Sequence, residues 1–303
     1  MSELPLLISI LGPTAVGKTS LSISLAKELG AEIISADSRQ MYKQISIGTA
    51  KPSLEEMDGV KHHFIDFLEL DAHYSAGVFE KDVLSLIKQS SNKTWLIVGG
   101  SGLYVKSILQ GLDDIPKDLK LRDQLNERLK KEGLEVMQAE LEKLDPVHYA
   151  GMDQANPQRV IRALEVCLSS RSSYTSLRLG QVKERPFRTL NFVLQREREE
   201  LRNRIKERCI QMLQEGWLEE CKSVMDHRAS NSLNTVGYKE LFQVLDGTLE
   251  MEPAVEKIIS ETSRFAKRQM TWFRAQKDMH FIDAADSNMK EQIIRLIKIA
   301  VQR

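Results

Sequence analysis

The sequence predicts an α/β fold, a parallel sheet flanked by helices and interrupted by an all-helical insertion domain. Three observations predict it. Gly12 to Thr19 read GPTAVGKT, the pattern G-x-x-x-x-G-K-[ST] of a phosphate-binding loop, which makes the sheet phosphate-loop NTPase-like. Short apolar runs alternate with helical patterns, the βαβ rhythm of a sheet covered on both faces. That rhythm stops near residue 112 and resumes near 186, with only helical spacing between.

Taken in order, the run 6–11 (LLISIL) is a buried strand leading straight into the phosphate loop. A helix follows, with Leu21, Leu25, Ala26 and Leu29 on one face and Gly30 as its stop. Further strands are expected at 31–36, 63–68, 95–98 and 190–194, with a late one at 280–283. Helices are expected at 119–131, 134–144 and 157–168 in the insertion, then at 197–215, 218–225, 237–245 and 252–276. Asp113-Asp114-Ile115-Pro116 marks the exit from the α/β core and Glu184-Arg185-Pro186 the return. The expected division is a discontinuous core, 1–112 and 186–303, around an insertion at 113–185.

Composition narrows the class. With 303 residues, 42% hydrophobic, the chain is long enough for one large domain or two modest ones. Lys plus Arg and Asp plus Glu number 43 each, so any nucleic-acid surface must be local. No run approaches ~18 apolar residues, so no membrane span is expected. Met1-Ser2-Glu3-Leu4-Pro5 lacks the basic start of a signal peptide. Cys167, Cys209 and Cys221 are far apart and form no C-x-x-C pair. They are expected to be reduced thiols of a cytoplasmic protein, without a zinc site.

The phosphate loop is the first chemical feature. The loop backbone of Gly12, Pro13, Thr14, Ala15, Val16 and Gly17 would surround an anion at a helix N-terminus, with N–H groups from all but Pro13. Lys18 adds a point charge, and the Thr19 hydroxyl can ligate Mg²⁺. The motif leaves open whether the phosphate belongs to ATP, GTP or another molecule. The second strand ends at Asp37, and ligands of open α/β sheets lie outside the carboxyl ends of strands. Asp37 is either a helix N-cap or a carboxylate facing the loop, serving as a base or as an outer-shell Mg²⁺ partner. The fourth strand ends in Gly99-Gly100-Ser101-Gly102, with glycine where many phosphate-loop hydrolases carry a Mg²⁺-holding Asp. A motor or GTP switch is therefore disfavoured.

Other features are weaker. Lys51 in IGTAKP stands near the expected mouth or in an ordinary loop. His62 and His63 point to opposite strand faces and are better read as structural than as a metal pair. Arg159, Arg162, Arg171, Arg178 and Lys183 face a single acid, Glu165, within 154–183. Arg264, Lys267, Arg268, Arg274 and Lys277 are interleaved with Phe265, Trp272 and Phe273. Such clusters suit RNA backbone contact and stacking, although the aromatics read better as a core stripe. The segment 196–208 is mixed in sign and is expected to be a salt-bridged helix surface.

Together these segments resemble the bacterial-type tRNA dimethylallyltransferase (tRNA isopentenyltransferase) family over nearly the whole chain. Its carriers are GPTAVGKT (12–19), DSRQMYKQISIGTAKP (37–52), HHFID (62–66), YSAGVF (74–79), VGGSGLY (98–104), QRVIRALEV (158–166), TVGYKE (235–240) and AKRQMTWFR (266–274). The second and last blocks are far more specific than the phosphate loop. Two departures stand out. Ser101 replaces a frequent Thr, keeping the hydroxyl, and Gln154-Ala155-Asn156-Pro157 replaces a motif close to P-N-D before Gln158. No Cys/His zinc module follows the core.

The resemblance implies transfer of a dimethylallyl group from dimethylallyl diphosphate to N6 of the adenosine 3′-adjacent to a tRNA anticodon, with release of diphosphate. It implies that the phosphate loop holds the diphosphate, helped by Lys18, Ser101 and a Mg²⁺ on Thr19. Asp37 would accept or aim the amine's proton, and the base would flip out of its stack. The tRNA contacts implied are Asp37, Ser38, Arg39, Gln40 and Ser101 in the core, with Arg122, Gln158, Arg159, Val160, Ile161 and Arg162 in the insertion. The partner is the anticodon stem-loop, and the expected protein is a monomer. Two rivals remain at the sequence level: a phosphate-loop kinase of a nucleoside or small metabolite, and a non-catalytic RNA-binding protein switched by nucleotide.

Overall fold

A computed structural model describes residues 4–301. The chain divides into two compact units, Met1–Leu109 with Arg185–Arg303, and Gln110–Glu184. Each is described by itself.

The first unit is built on six strands: β1 (Leu6–Leu11), β2 (Glu32–Ala36), β3 (His62–His63), β4 (Thr94–Gly99), β5 (Arg188–Gln195) and β6 (Met279–Asp283). They form one sheet in the order β3-β2-β4-β1-β5-β6, with every pairing parallel. Its first segment carries helices α1 (Lys18–Leu29), α2 (Leu54–Met57), α3 (Ala76–Gln89) and α4 (Gly102–Leu109). The second unit holds α5 (Leu119–Glu132), α6 (Leu134–Leu144), α7 (Pro146–Gly151), α8 (Pro157–Ser170) and α9 (Tyr174–Leu177). The first unit then resumes with α10 (Arg198–Gln214), α11 (Trp217–Ser223), α12 (Tyr238–Leu245), α13 (Met251–Arg274) and α14 (Met289–Val301).

β1 is buried along its whole length, as a central parallel strand must be. One face of the sheet packs Ile8, Ile10, Leu96, Phe192 and Leu194 against Leu21 and Leu25 of α1 and Ile293 and Ile297 of α14. On the opposite face a buried polar pair is satisfied locally: Ser9 Oγ donates to Asn191 Oδ1 of the adjacent strand at 2.8 Å.

The strand expected at 63–68 is reduced to His62–His63. Phe64 and Asp66 adopt left-handed φ values of 60° and 58°, which end the extended run. The segment turns so that Phe64 packs edge-on against Phe79 and Asp66 receives the Lys51 ammonium at 2.6 Å. The two histidines are occupied separately: His62 Nδ1 lies 2.9 Å from the Val60 carbonyl and His63 Nε2 2.5 Å from Glu32 Oε2.

The second unit has its own core of Leu125, Met137, Leu141, Val160, Ile161, Ala163, Leu164 and Cys167. Glu165 is wholly buried beside it, and accepts hydrogen bonds from the Asp118 N–H (2.8 Å), Arg122 Nε (2.7 Å) and Arg162 Nη1 (2.7 Å). The unit closes on itself where the Lys183 N–H meets the Gln110 carbonyl at 2.8 Å. Arg185, placed in the insertion from sequence, belongs to the first unit: its guanidinium donates to Glu80 Oε1 (2.8 Å) and the Ser107 carbonyl (2.6 Å). All three cysteines are free and buried. No described helix is long and apolar enough to cross a membrane.

Candidate active site

Sheet register assembles the site. Leu11 of β1 and Ala36 of β2 both pair with Gly99 of β4. Gly12, Asp37 and Gly100 therefore leave the sheet at one level and share the mouth at its carboxyl edge.

The phosphate loop needs unusual backbone. Gly12 has φ 147°, and a Cβ there would lie 2.7 Å from the Leu194 carbonyl, so only glycine fits. Ala15 is held at φ 63° although it is not glycine. No side chain caps α1, so its first N–H groups remain for an anion. The loop's carbonyls are taken by cations. Lys18 Nζ donates to those of Gly12 (3.0 Å) and Pro13 (2.7 Å), Arg204 Nε to Ala15 (2.8 Å) and Arg196 Nε to Val16 (3.2 Å). Burial, with added repulsion from Arg208, brings the Lys18 ammonium down to about 7, against a pull from Asp37 in the other direction.

Arg204 and Arg208 are one turn apart on the side of α10 that borders its buried stripe of Leu201, Ile205, Cys209 and Met212. Arg208 carries its charge against a strong desolvation cost, with Asp37 the largest favourable partner. The expectation of a merely salt-bridged surface for 196–208 is thus corrected: this helix forms a cationic wall of the phosphate loop. Its charge balance hid that from sequence, since Glu197 is the N-cap and Glu199 and Glu200 fall in the first turn, where the helix dipole favours them.

Asp37 caps the following turn with one oxygen: Oδ1 accepts the N–H groups of Arg39 (2.8 Å) and Gln40 (3.3 Å). Capping and a chemical role are therefore compatible, because a carboxylate has a second oxygen. Ser101 Oγ accepts the Ser38 N–H at 3.1 Å and so ties the turn to the end of β4. Arg39 Nη1 is held by the Asn231 carbonyl at 2.8 Å. Gln40 Nε2 is spent on the carbonyls of Thr49 (3.2 Å) and Ala50 (2.9 Å), so its side chain braces the turn. Lys51 does not reach the mouth: it is buried, donating to the Tyr42 carbonyl and Asp66.

Gln269 is a further site residue that sequence reasoning quoted within AKRQ without giving it a role. Its Oε1 accepts the Thr14 N–H at 3.0 Å, and its Nε2 donates to the Gly100 carbonyl at 2.9 Å. One buried amide thus joins the phosphate loop to the glycine segment after β4. Of the aromatic residues on the same helix, Phe273 is fully buried, whereas Phe265 is exposed beneath Arg268. Arg264, Lys267, Arg268, Arg274 and Lys277 are all exposed.

In the second unit the sequence-read residues separate into two groups. Val160 and Ile161 are buried in the unit's core, so their side chains present nothing to RNA. Arg122 and Arg162 are bound to Glu165. Gln158 and Arg159 are exposed at the start of α8, where Asn156 caps both of their N–H groups.

Among the described residues no group of three or more His, Cys, Asp or Glu side chains is arranged to hold a metal. Thr19 contributes one exposed hydroxyl at the head of α1. This donor set fits Mg²⁺ carried mainly by phosphate oxygens and water, as that ion prefers, and not an all-protein cage.

Fold and site together define a phosphate-loop α/β protein with a helical insertion, whose loop is lined by Lys18, Arg204 and Arg208 and faced by a carboxylate. A model of the IPP transferase family matches residues 40–276. The chain belongs to that family. It is 43% identical to tRNA dimethylallyltransferase 1 of Bacteroides thetaiotaomicron over 97% of this chain and 96% of that one. It is 44% identical to tRNA dimethylallyltransferase of Christiangramia forsetii over 94% and 95%. Among solved structures, the full-length tRNA isopentenylpyrophosphate transferase of Bacillus halodurans superposes with a TM-score of 0.71 at 35% identity, covering 98% of this chain and 95% of that one. A eukaryotic dimethylallyltransferase acting on tRNA superposes with a TM-score of 0.81 at 26% identity, covering 98% and 80%.

Proposed function

We propose that this protein transfers the dimethylallyl group of dimethylallyl diphosphate to N6 of the adenosine 3′-adjacent to the anticodon of tRNA and releases diphosphate. The observation that carries this reading is the shared level at which the phosphate loop, Asp37 and the Gly100–Ser101 segment leave the sheet. An anion bound in the loop then lies beside a carboxylate. Family membership supplies the reaction class, and the relatives named above carry tRNA in their names.

In the step proposed, a bond forms between N6 and C1 of the dimethylallyl group as the C1–O bond to diphosphate breaks. The N6 lone pair is delocalised into the purine, so the amine is a weak nucleophile. The free oxygen of Asp37 accepts the departing N6 proton, and its other oxygen keeps the 38–40 turn in place. Charge accumulates on the leaving diphosphate, where Lys18, Arg208 and the N–H groups heading α1 stabilise it. A Mg²⁺ held by Thr19 and the diphosphate would add Lewis-acid stabilisation of the same charge. Ser101 fixes the turn that carries Asp37, while exposed Arg159 and Gln158 offer the insertion's contacts to the anticodon stem-loop.

Family membership argues against the kinase alternative, and of the two lid arginines that reading would use, Arg159 and Arg162, the second is bound to Glu165. The test is mass spectrometry of tRNA nucleosides after incubation with the protein, Mg²⁺ and dimethylallyl diphosphate, beside a parallel reaction with γ-labelled ATP and nucleosides. A prenylated adenosine is expected. Transfer of γ-phosphate without a prenylated nucleoside would overturn the proposal.

A further inference from the structure

The IGTAKP and TVGYKE segments are brought together by a residue outside both. Glu220 on α11 points its carboxylate into three consecutive N–H groups, those of Ser46 (2.6 Å), Ile47 (2.8 Å) and Gly48 (2.9 Å). Tyr238 of TVGYKE donates its hydroxyl to the same carboxylate at 2.5 Å. Converging N–H groups of this kind form an anion nest, here filled by the protein's own carboxylate. The nest is tightly walled: a Cβ on Gly48 would lie 2.1 Å from Trp217 Nε1 and 2.5 Å from the Tyr238 hydroxyl.

The loop held this way braces the site. Its Thr49 and Ala50 carbonyls bind the Gln40 side chain, and the Gln40 N–H binds Asp37 Oδ1. An unbroken series of hydrogen bonds thus runs from Glu220 through the 46–50 loop and Gln40 to Asp37. We infer that Glu220 is a positioning residue for prenyl transfer: it fixes the loop that holds the Asp37–Gln40 turn and so aims the free Asp37 oxygen. The inference rests on the role proposed for Asp37, but the hydrogen-bond relay can be read without activity.

Glu220→Gln keeps the shape of the side chain. It places an amide NH₂ among N–H donors, where it cannot accept. The test combines amide hydrogen exchange with single-turnover kinetics at a temperature where the variant is folded. Exchange at 46–48 and also at Arg39 and Gln40 is expected to quicken by about tenfold or more, with β1 unchanged. The rate of transfer should fall roughly ten- to a hundredfold, as misplacement of a reacting group does, while diphosphate affinity stays within about twofold. Tyr238→Phe, which leaves the carboxylate in the nest, should keep the protection at 39–40. Faster exchange confined to 46–48, an unchanged rate, or a parallel loss of diphosphate affinity would overturn the inference. Should Glu220→Gln fail to fold, Glu220→Asp retains the anion at shorter reach and should show the same pattern more weakly. Failure of both to fold would make Glu220 a stability element only and likewise overturn it. If the wild-type protein transfers no prenyl group, the proposed function fails, while the exchange data still decide whether Glu220 orders the Asp37 turn.

Discussion

Binding of diphosphate is expected to draw a proton onto Lys18. In the ligand-free loop, desolvation and Arg208 hold this ammonium at about 7, well below its ordinary 10.5. A diphosphate at the same place supplies the opposite charge and restores the protonated form. Below pH 7 Lys18 is charged with or without ligand, so it contributes no pH dependence. Above pH 7 the free loop is neutral, and binding must take up a proton. Between pH 7.5 and 8.5 the dissociation constant should therefore rise about eightfold, and at pH 8 binding should take up about 0.9 proton at this site. The same shift makes the unfolded chain the better proton binder between about 7 and 10.5, so the ligand-free fold gains stability as pH rises through that window. Calorimetric titration with diphosphate in buffers of differing ionisation enthalpy measures the uptake, and Lys18→Met subtracts the ligand's own titration. Equal uptake by Lys18→Met and wild type, or an affinity that does not weaken above pH 7, would refute the reasoning.

Further outcomes follow from individual contacts. Gln269→Met removes both hydrogen bonds between the phosphate loop and Gly100 and strands a buried donor and acceptor. Thermal unfolding should register a loss on the order of 2–5 kcal/mol, and a loss under about 0.5 kcal/mol would show that the latch is not needed. Arg204→Met removes the charge-assisted bond that holds Ala15 in its left-handed conformation, and should weaken diphosphate binding about tenfold or more by calorimetry. In the insertion, Arg159→Ala should lower tRNA affinity and reduce its salt slope by about 0.7–0.9. Arg162→Ala should instead destabilise the lobe, by roughly 1–3 kcal/mol in urea unfolding, because it leaves Glu165 short of a partner.

Much of the fold was legible because its signals are local. The β1 run, the glycine-bearing loop and the Leu-rich face of α1 each follow from spacing within a few residues. The insertion was legible as a loss of alternation between strand and helix, although its edge at Arg185 depends on a distant ion pair with Glu80. The strand at 63–68 was overextended because left-handed φ values at Phe64 and Asp66 leave no mark in hydropathy. The site was half legible. Asp37 and Ser101, which follow strand ends, and Lys18, which heads α1 after the phosphate loop, could be placed together by the rule for open sheets. Arg204, Arg208 and Gln269 could not, since they reach the loop from helices far along the chain. Val160 and Ile161 were drawn in with their neighbours in QRVIRALEV, although alternate sides of one helix serve core and surface.

The most direct measurement is single-turnover transfer of labelled dimethylallyl from its diphosphate to tRNA, comparing wild type with Asp37→Asn at saturating substrates and ordinary Mg²⁺. Asn retains an oxygen that can accept the Arg39 and Gln40 N–H groups, so the turn and the fold should persist. It cannot take the N6 proton. The rate should fall about 10²- to 10⁴-fold while the affinities for diphosphate and tRNA stay within a few-fold. Near-wild-type transfer by Asp37→Asn would contradict the account and leave Asp37 as a cap alone.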